Sequence, residues 1–131
     1  MYMLDTNVIV MAIRHPEWPI CQRIRNHTGK DLLISSITYG ELIYGIHKSK
    51  FPEQNRIGLI QILAGIQIFN FDKRAAEHFG EIFADLEKRG QRIGDRDMMI
   101  AAHARSLGCT LVTNNIREFS RVQGLSYEDW K

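Results

Sequence analysis

Apolar residues along this chain alternate between short unbroken runs and stretches spaced three and four apart. Tyr2-Met3-Leu4 is such a run, closed by the polar Asp5-Thr6-Asn7, and reads as a short buried strand. Val8 to Ile13 is apolar and reads as helical in spite of its β-branched residues. Pro16 or Pro19 suits the first turn of a second helix running to about His27, with Ile20 and Ile24 on one face. Leu32-Leu33-Ile34 predicts a second strand. Ser35, Ser36 and Thr38 are then N-cap candidates for a helix carrying Glu41, Leu42, Ile43 and Ile46.

Pro52 suits the opening of a further helix whose apolar positions include Ile57, Ile60, Leu63 and Ala64. Residues 66–71 alternate well enough for a third strand. Asp72 caps the clearest helical pattern in the chain, in which Ala75, Ala76, Phe79, Ile82, Phe83 and Leu86 follow helical spacing until Gly90. Asp95 or a neighbour starts the next helix, through Ala101, Ala104 and Leu107, and Gly108 supplies its left-handed stop. Residues 110–113 read as a fourth strand and residues 122–125 as a short fifth one. Strands alternating with helices predict one α/β domain over residues 1–131, a three-layer α/β/α sandwich around a mostly parallel sheet.

Composition narrows the partners without choosing among them. A chain of 131 residues, 44% hydrophobic and 24% charged, is an ordinary globular domain with no disordered segment. A net charge of +2 permits a nucleic-acid partner, but phosphates would have to be met by a local patch. Cys21 and Cys109 lack metal-type spacing and read as free thiols. The charged Asp5 follows the first four residues at once, so no leader is expected. The longest apolar stretches, such as residues 59–66, are too short to cross a bilayer. The expectation is a cytoplasmic protein without a membrane partner.

In an open parallel sheet, ligands gather beyond the carboxyl ends of the strands. Asp5 follows the first strand there, Asn114 and Asn115 follow the fourth, Asp95 and Asp97 open a helix, and Glu41 is expected in the first turn after the second strand. Clustered carboxylates repel unless a cation compensates them. Mg²⁺ prefers a few carboxylates with its other positions left to water and phosphate, and such a site suits phosphodiester hydrolysis.

Each member also has a plainer explanation. Asp5 could be a turn residue, although a carboxylate between Met3-Leu4 and Val8-Ile9 is costly without a partner. Glu41 fits a capping box that begins at Thr38. Asp95 and Asp97 suit a helix N-terminus, one of them as its N-cap, and Glu118 resembles a surface charge beside Arg117.

Other chemistries find little support. The histidines at 15, 27, 47, 78 and 103 show no metalloprotease pairing, no strained nucleophile elbow is visible, and Gly40 with Gly45 lacks a P-loop lysine. A dehalogenase-type phosphatase would place aspartate where Asn7 stands. A toprim-type site would put Asp95 and Asp97 at a strand end. A non-catalytic module whose acidic pocket docks a basic tail is the remaining alternative to an enzyme.

Four segments taken together resemble the PIN-domain ribonucleases of the VapC type. They are Met3-Leu4-Asp5-Thr6-Asn7, Ser35-Ser36-Ile37-Thr38-Tyr39-Gly40-Glu41-Leu42, Asp97-Met98-Met99-Ile100-Ala101-Ala102-His103-Ala104 and Thr113-Asn114-Asn115-Ile116-Arg117-Glu118-Phe119, with Asp129-Trp130 as a familiar tail. The resemblance spans nearly the whole chain, in order. It implies a toxin of a toxin–antitoxin pair: a Mg²⁺- or Mn²⁺-dependent endoribonuclease, dimeric, held inactive by a VapB-type antitoxin. It implies operator DNA binding only through that complex, and a structured RNA target, with the initiator tRNA anticodon loop as the leading candidate.

By that resemblance Asp5, Glu41 and Asp97 are metal-site residues. Many relatives carry aspartate where this chain has Asn115, whose amide can hold a water or metal but supplies no charge. The fourth position is thus open among Glu118, to which the Arg117-Glu118-Phe119 ending points, Asp95, which could aid a second metal, and Asn115 itself. Thr6, Asn7, Thr113 and Asn114 are candidates to orient those ligands. Arg14, Arg96 and Arg117 are candidates to hold RNA phosphates near the rim.

Overall fold

The computed structural model describes residues 1–131. Five strands form the sheet: β1 (Tyr2–Leu4), β2 (Leu32–Ser35), β3 (Gln67–Phe69), β4 (Thr110–Val112) and β5 (Tyr127–Glu128). They lie in the order β3-β2-β1-β4-β5, every pair parallel. Around them run α1 (Thr6–Arg14), α2 (Pro19–His27), α3 (Ser36–Lys48), α4 (Pro52–Leu63), α5 (Lys73–Lys88), α6 (Asp95–Leu107) and the four-residue α7 (Ile116–Phe119).

Successive side chains of a strand point to opposite faces, and both faces of this sheet are covered. Met3, Leu33 and Leu111 pack on one side with Ile82, Leu86, Met98, Ile100 and Phe119. Leu4, Ile34 and Val112 pack on the other with Val8, Ile9, Ile20, Ile24, Leu42, Leu59 and Trp130. Burying each such side chain contributes about 1.5–3 kcal/mol relative to exposure. That double covering explains why the strands read as unbroken apolar runs. The expected three-layer sandwich is the observed one, and its sheet is wholly parallel.

Several local expectations are corrected. Residues 122–125 are not a strand: Leu125 bonds back to the Val122 carbonyl and Gly124 takes a φ of 79°, so this is a turn whose apolar side chains enter the core. The fifth strand is instead Tyr127–Glu128, beside β4. The N-cap of α3 is Ser35, whose Oγ accepts from the Ile37 amide at 3.1 Å, so Thr38 heads no capping box and Glu41 falls in the second helical turn. Neither aspartate caps α6. Gly94 does, with Asp95 and Asp97 in the first turn.

Candidate active site

The carboxyl ends of β1, β2 and β4 and the N-termini of α1, α3 and α6 meet at one edge, and the acidic side chains stand on that rim. Asp5 ends β1 and is 3% exposed, the only carboxylate among the buried residues. It sits at the N-cap position of α1 without a side-chain capping bond. Its Oδ2 accepts from the Thr113 hydroxyl at 2.9 Å, and that hydroxyl oxygen accepts the Asn115 amide at 2.9 Å. Burial pushes the Asp5 carboxyl above its ordinary pKa. The Thr113 hydroxyl and the Thr6 backbone amide pull it back, and the charge of Glu41 raises it further.

Glu41 is held on both oxygens. The Thr6 hydroxyl donates to Oε1 at 2.7 Å, and Nε of Arg96 donates to Oε2 at 2.9 Å. The Thr6 hydroxyl also lies 3.1 Å from the buried Thr38 hydroxyl. Asp97 projects from the first turn of α6, and its carboxyl is pushed up to about 6. Burial is the main cause, followed by the charges of Asp5, Glu118 and Glu41, with Arg96 opposing them. Four carboxylates from four separate segments therefore share one field.

The remaining candidates divide. Glu118, on α7, joins the rim through its charge on Asp97. Asp95 turns away to an exposed pair with Arg92 at 2.9 Å. Asn7 is exposed and makes no side-chain bond. Asn114 sends Nδ2 to Sδ of Met11 at 3.0 Å, and its Oδ1 is buried without a partner. Asn115 contributes its backbone amide to Thr113 and begins α7 without a side-chain cap.

Arg117 is exposed beside Glu118. Arg14 ends α1, about 13 Å along the helix from Asp5, and lines a groove between α1, α3 and α4 that Glu41 lines as well. Two features escaped the sequence reading. One is the Glu41–Arg96 pair, which joins residues 55 apart. The other is the buried bond between Ser35 Oγ and Nδ1 of His103 at 2.8 Å, which ties α3 to α6 beneath the rim. Nothing local in the sequence signals either contact.

As placed, no three of these groups are spaced to coordinate one ion directly. The donor set nonetheless suits a hard divalent cation, since it offers only carboxylate, hydroxyl and amide oxygens. Beyond the burial that mainly raises Asp97, the charges of Asp5, Glu118 and Glu41 raise it further, with Arg96 the one cation opposing them. Mg²⁺ keeps several waters and takes one or two carboxylates directly, so a closed cage is not required.

An α/β protein with an acidic pocket at the carboxyl edge of a parallel sheet is the class these features define. The PIN domain model matches residues 2–125. Ribonuclease VapC2 of Haemophilus influenzae is 45% identical over 129 residues, spanning 98% of this chain and 97% of that protein. The tRNA(fMet)-specific endonuclease VapC of Shigella flexneri is 44% identical over 129 residues, with the same coverage of 98% and 97%. The crystal structure of VapBC2 from Rickettsia felis bound to a promoter DNA fragment matches with a TM-score of 0.93 at 38% identity, covering 99% of this chain and 98% of that one. The chain belongs to the PIN domain family, among the VapC ribonucleases.

Proposed function

We propose that this protein is the toxin of a VapBC-type pair, a divalent-cation-dependent endoribonuclease that cuts structured RNA. The observation that carries the reading is the meeting of Asp5, Glu41, Asp97 and Glu118 at one rim, where burial first, and then the charges of the other three, push the Asp97 carboxyl up to about 6. Such an uncompensated anionic cluster in a cleft is the mark of a functional site more than of a structural ion pair.

Asp5, Glu41 and Asp97 would hold Mg²⁺ or Mn²⁺, with Glu118 closing the rim. When bound, the cation supplies activation of water and neutralisation of charge building on the phosphate. The rest is done by the chain. Thr113 holds Asp5 in one orientation, Thr6 does the same for Glu41, and Asp97 is the rim group able to hold a proton near neutral pH in the cation-free protein. Arg96 stands beside the carboxylates, and with the exposed Arg117 on α7 it would meet RNA phosphates.

The relatives named as tRNA(fMet)-specific endonucleases support initiator tRNA as the target; the anticodon loop is the cleavage position proposed with it. The neighbouring VapBC structures, both bound to DNA, support a VapB-type antitoxin as partner and DNA binding by the pair; a homodimer, with operator DNA reached only through the antitoxin, completes the proposal. No helix is long and apolar enough to cross a membrane, and the proposed site of action is the cytoplasm. The test is cleavage of a total tRNA pool by purified, antitoxin-free protein with Mg²⁺, with chelator, and as Asp97→Ala. A discrete fragment that needs both metal and Asp97 is expected. Folded protein that cuts neither tRNA, rRNA nor mRNA with either metal would leave a docking module instead.

A further inference from the structure

Arg96 is the one cationic side chain whose charge opposes the carboxylates at Asp97. Its bond to Oε2 of Glu41 at 2.9 Å joins the first turn of α6 to the second turn of α3 and is the only hydrogen bond its guanidinium makes. The arginine side chain is 72% exposed while that of Glu41 is 24% exposed. An ion pair so open to water is weakly held, because solvent competes for both partners and the long side chain loses rotamer freedom.

The other Glu41 oxygen is already taken by Thr6 at 2.7 Å. Oε2 is therefore the oxygen a cation would claim, and Arg96 stands on it. The side chain also has room to leave: it lines a cleft of about 570 Å³ with Ser36, Gly40, Tyr44 and Met99. Its planar fork matches phosphate geometry as well as carboxylate geometry.

We propose that Arg96 is a tethered counter-cation for Glu41, displaced when a divalent cation binds and then turned outward to a substrate phosphate. The proposal rests on the reading of the rim as a cation site. It couples the two ligands through one side chain: a cation that frees Arg96 strengthens RNA binding, and RNA that captures Arg96 strengthens cation binding by the same factor. It also gives the cation-free protein a rim that is partly neutralised from within.

The experiment is calorimetric titration of Mn²⁺ into antitoxin-free wild type, Arg96→Gln, Glu41→Gln and Asp97→Asn, with the Arg96 Nε–H resonance followed during Mg²⁺ titration. Arg96→Gln should bind Mn²⁺ about two- to fivefold more tightly, the worth of one exposed ion pair. In wild type the Arg96 resonance should shift with the midpoint of Mg²⁺ binding. Unchanged or weaker Mn²⁺ binding by Arg96→Gln, or an Arg96 signal unmoved at saturating Mg²⁺, overturns the displacement. Wild type that binds no Mn²⁺ stoichiometrically, or Glu41→Gln and Asp97→Asn that both bind it at full strength, refutes the cation site itself and the proposal with it.

Discussion

Thr113 Oγ1 lies 2.9 Å from Oδ2 of Asp5 and donates to it, joining residues 108 apart in sequence at the carboxyl ends of neighbouring strands. The Asn115 amide donates to the same oxygen, which leaves the hydroxyl hydrogen for the carboxylate. The bond works against the burial that raises the Asp5 pKa. Thr113→Val keeps the shape and removes the donor. It should lower Mg²⁺ affinity and RNA cleavage by about 10–100-fold, the usual effect of deleting a group that orients a metal ligand. Thr113→Ser should recover most of that loss. Wild-type titration and cleavage by the valine variant would show that the hydroxyl has no such role.

Asp97 gives a signed dependence of stability on pH. Its folded pKa, about 6, lies above its ordinary 3.8, so ionisation penalises the folded state. The penalty is absent below about pH 4, grows through the interval to 6, and is complete above it. In cation-free buffer Asp97→Asn should therefore melt a few degrees higher than wild type at pH 7.5. The advantage should vanish by pH 4, and added Mg²⁺ should erase it at neutral pH by stabilising wild type alone. Thermal unfolding at three pH values decides it; a variant less stable than wild type at pH 7.5 contradicts the charge crowding.

Much of this fold was legible because the core alternates cleanly. Leu32-Leu33-Ile34 and Met3-Leu4 are buried on both faces, and parallel strands need such runs. The fifth strand was misplaced because Val122 and Leu125 are as buried as strand residues yet sit in a turn, a distinction carried by tertiary packing. At the site, Asp5 stood out as a carboxylate between apolar runs and proved fully buried. Glu41 and Asp97 were ambiguous locally, because helix N-termini favour acidic residues for their own reasons. Which carboxylate completes the rim, and where Arg96 goes, depend on chain segments brought together only by the sheet order.

Glu118 and Asp95 offer a direct comparison of two candidate carboxylates. Glu118 follows Asp5 among the charges that raise Asp97, whereas Asp95 is bound to Arg92 and does not contribute. Glu118→Gln should lower the Asp97 pKa, seen by carboxyl NMR titration, and reduce cleavage by about tenfold or more. Asp95→Asn should change neither, and its exposed pair is worth at most about 1 kcal/mol of stability. The reverse pattern would transfer the fourth acidic role to Asp95.

Ser35 carries two structural duties beneath the rim. It is buried, accepts from the Ile37 amide to cap α3, and reaches Nδ1 of His103 at 2.8 Å. Its hydrogen is free for the imidazole, which favours a neutral ring. Burial holds the His103 pKa below 6.5, with Asp72 pulling weakly the other way. A lowered folded pKa means that the stability is present above pH 6.5 and is lost as pH falls, opposite in sign to Asp97. Ser35→Ala removes the cap and leaves a buried imidazole nitrogen unpaired, so it should cost about 1–3 kcal/mol at pH 7.5 by urea unfolding. Its loosening of α3 should also reduce cleavage, because Glu41 rides on that helix. Unchanged stability in the alanine variant would mean that water replaces the serine at both partners and that the anchor of the rim lies elsewhere.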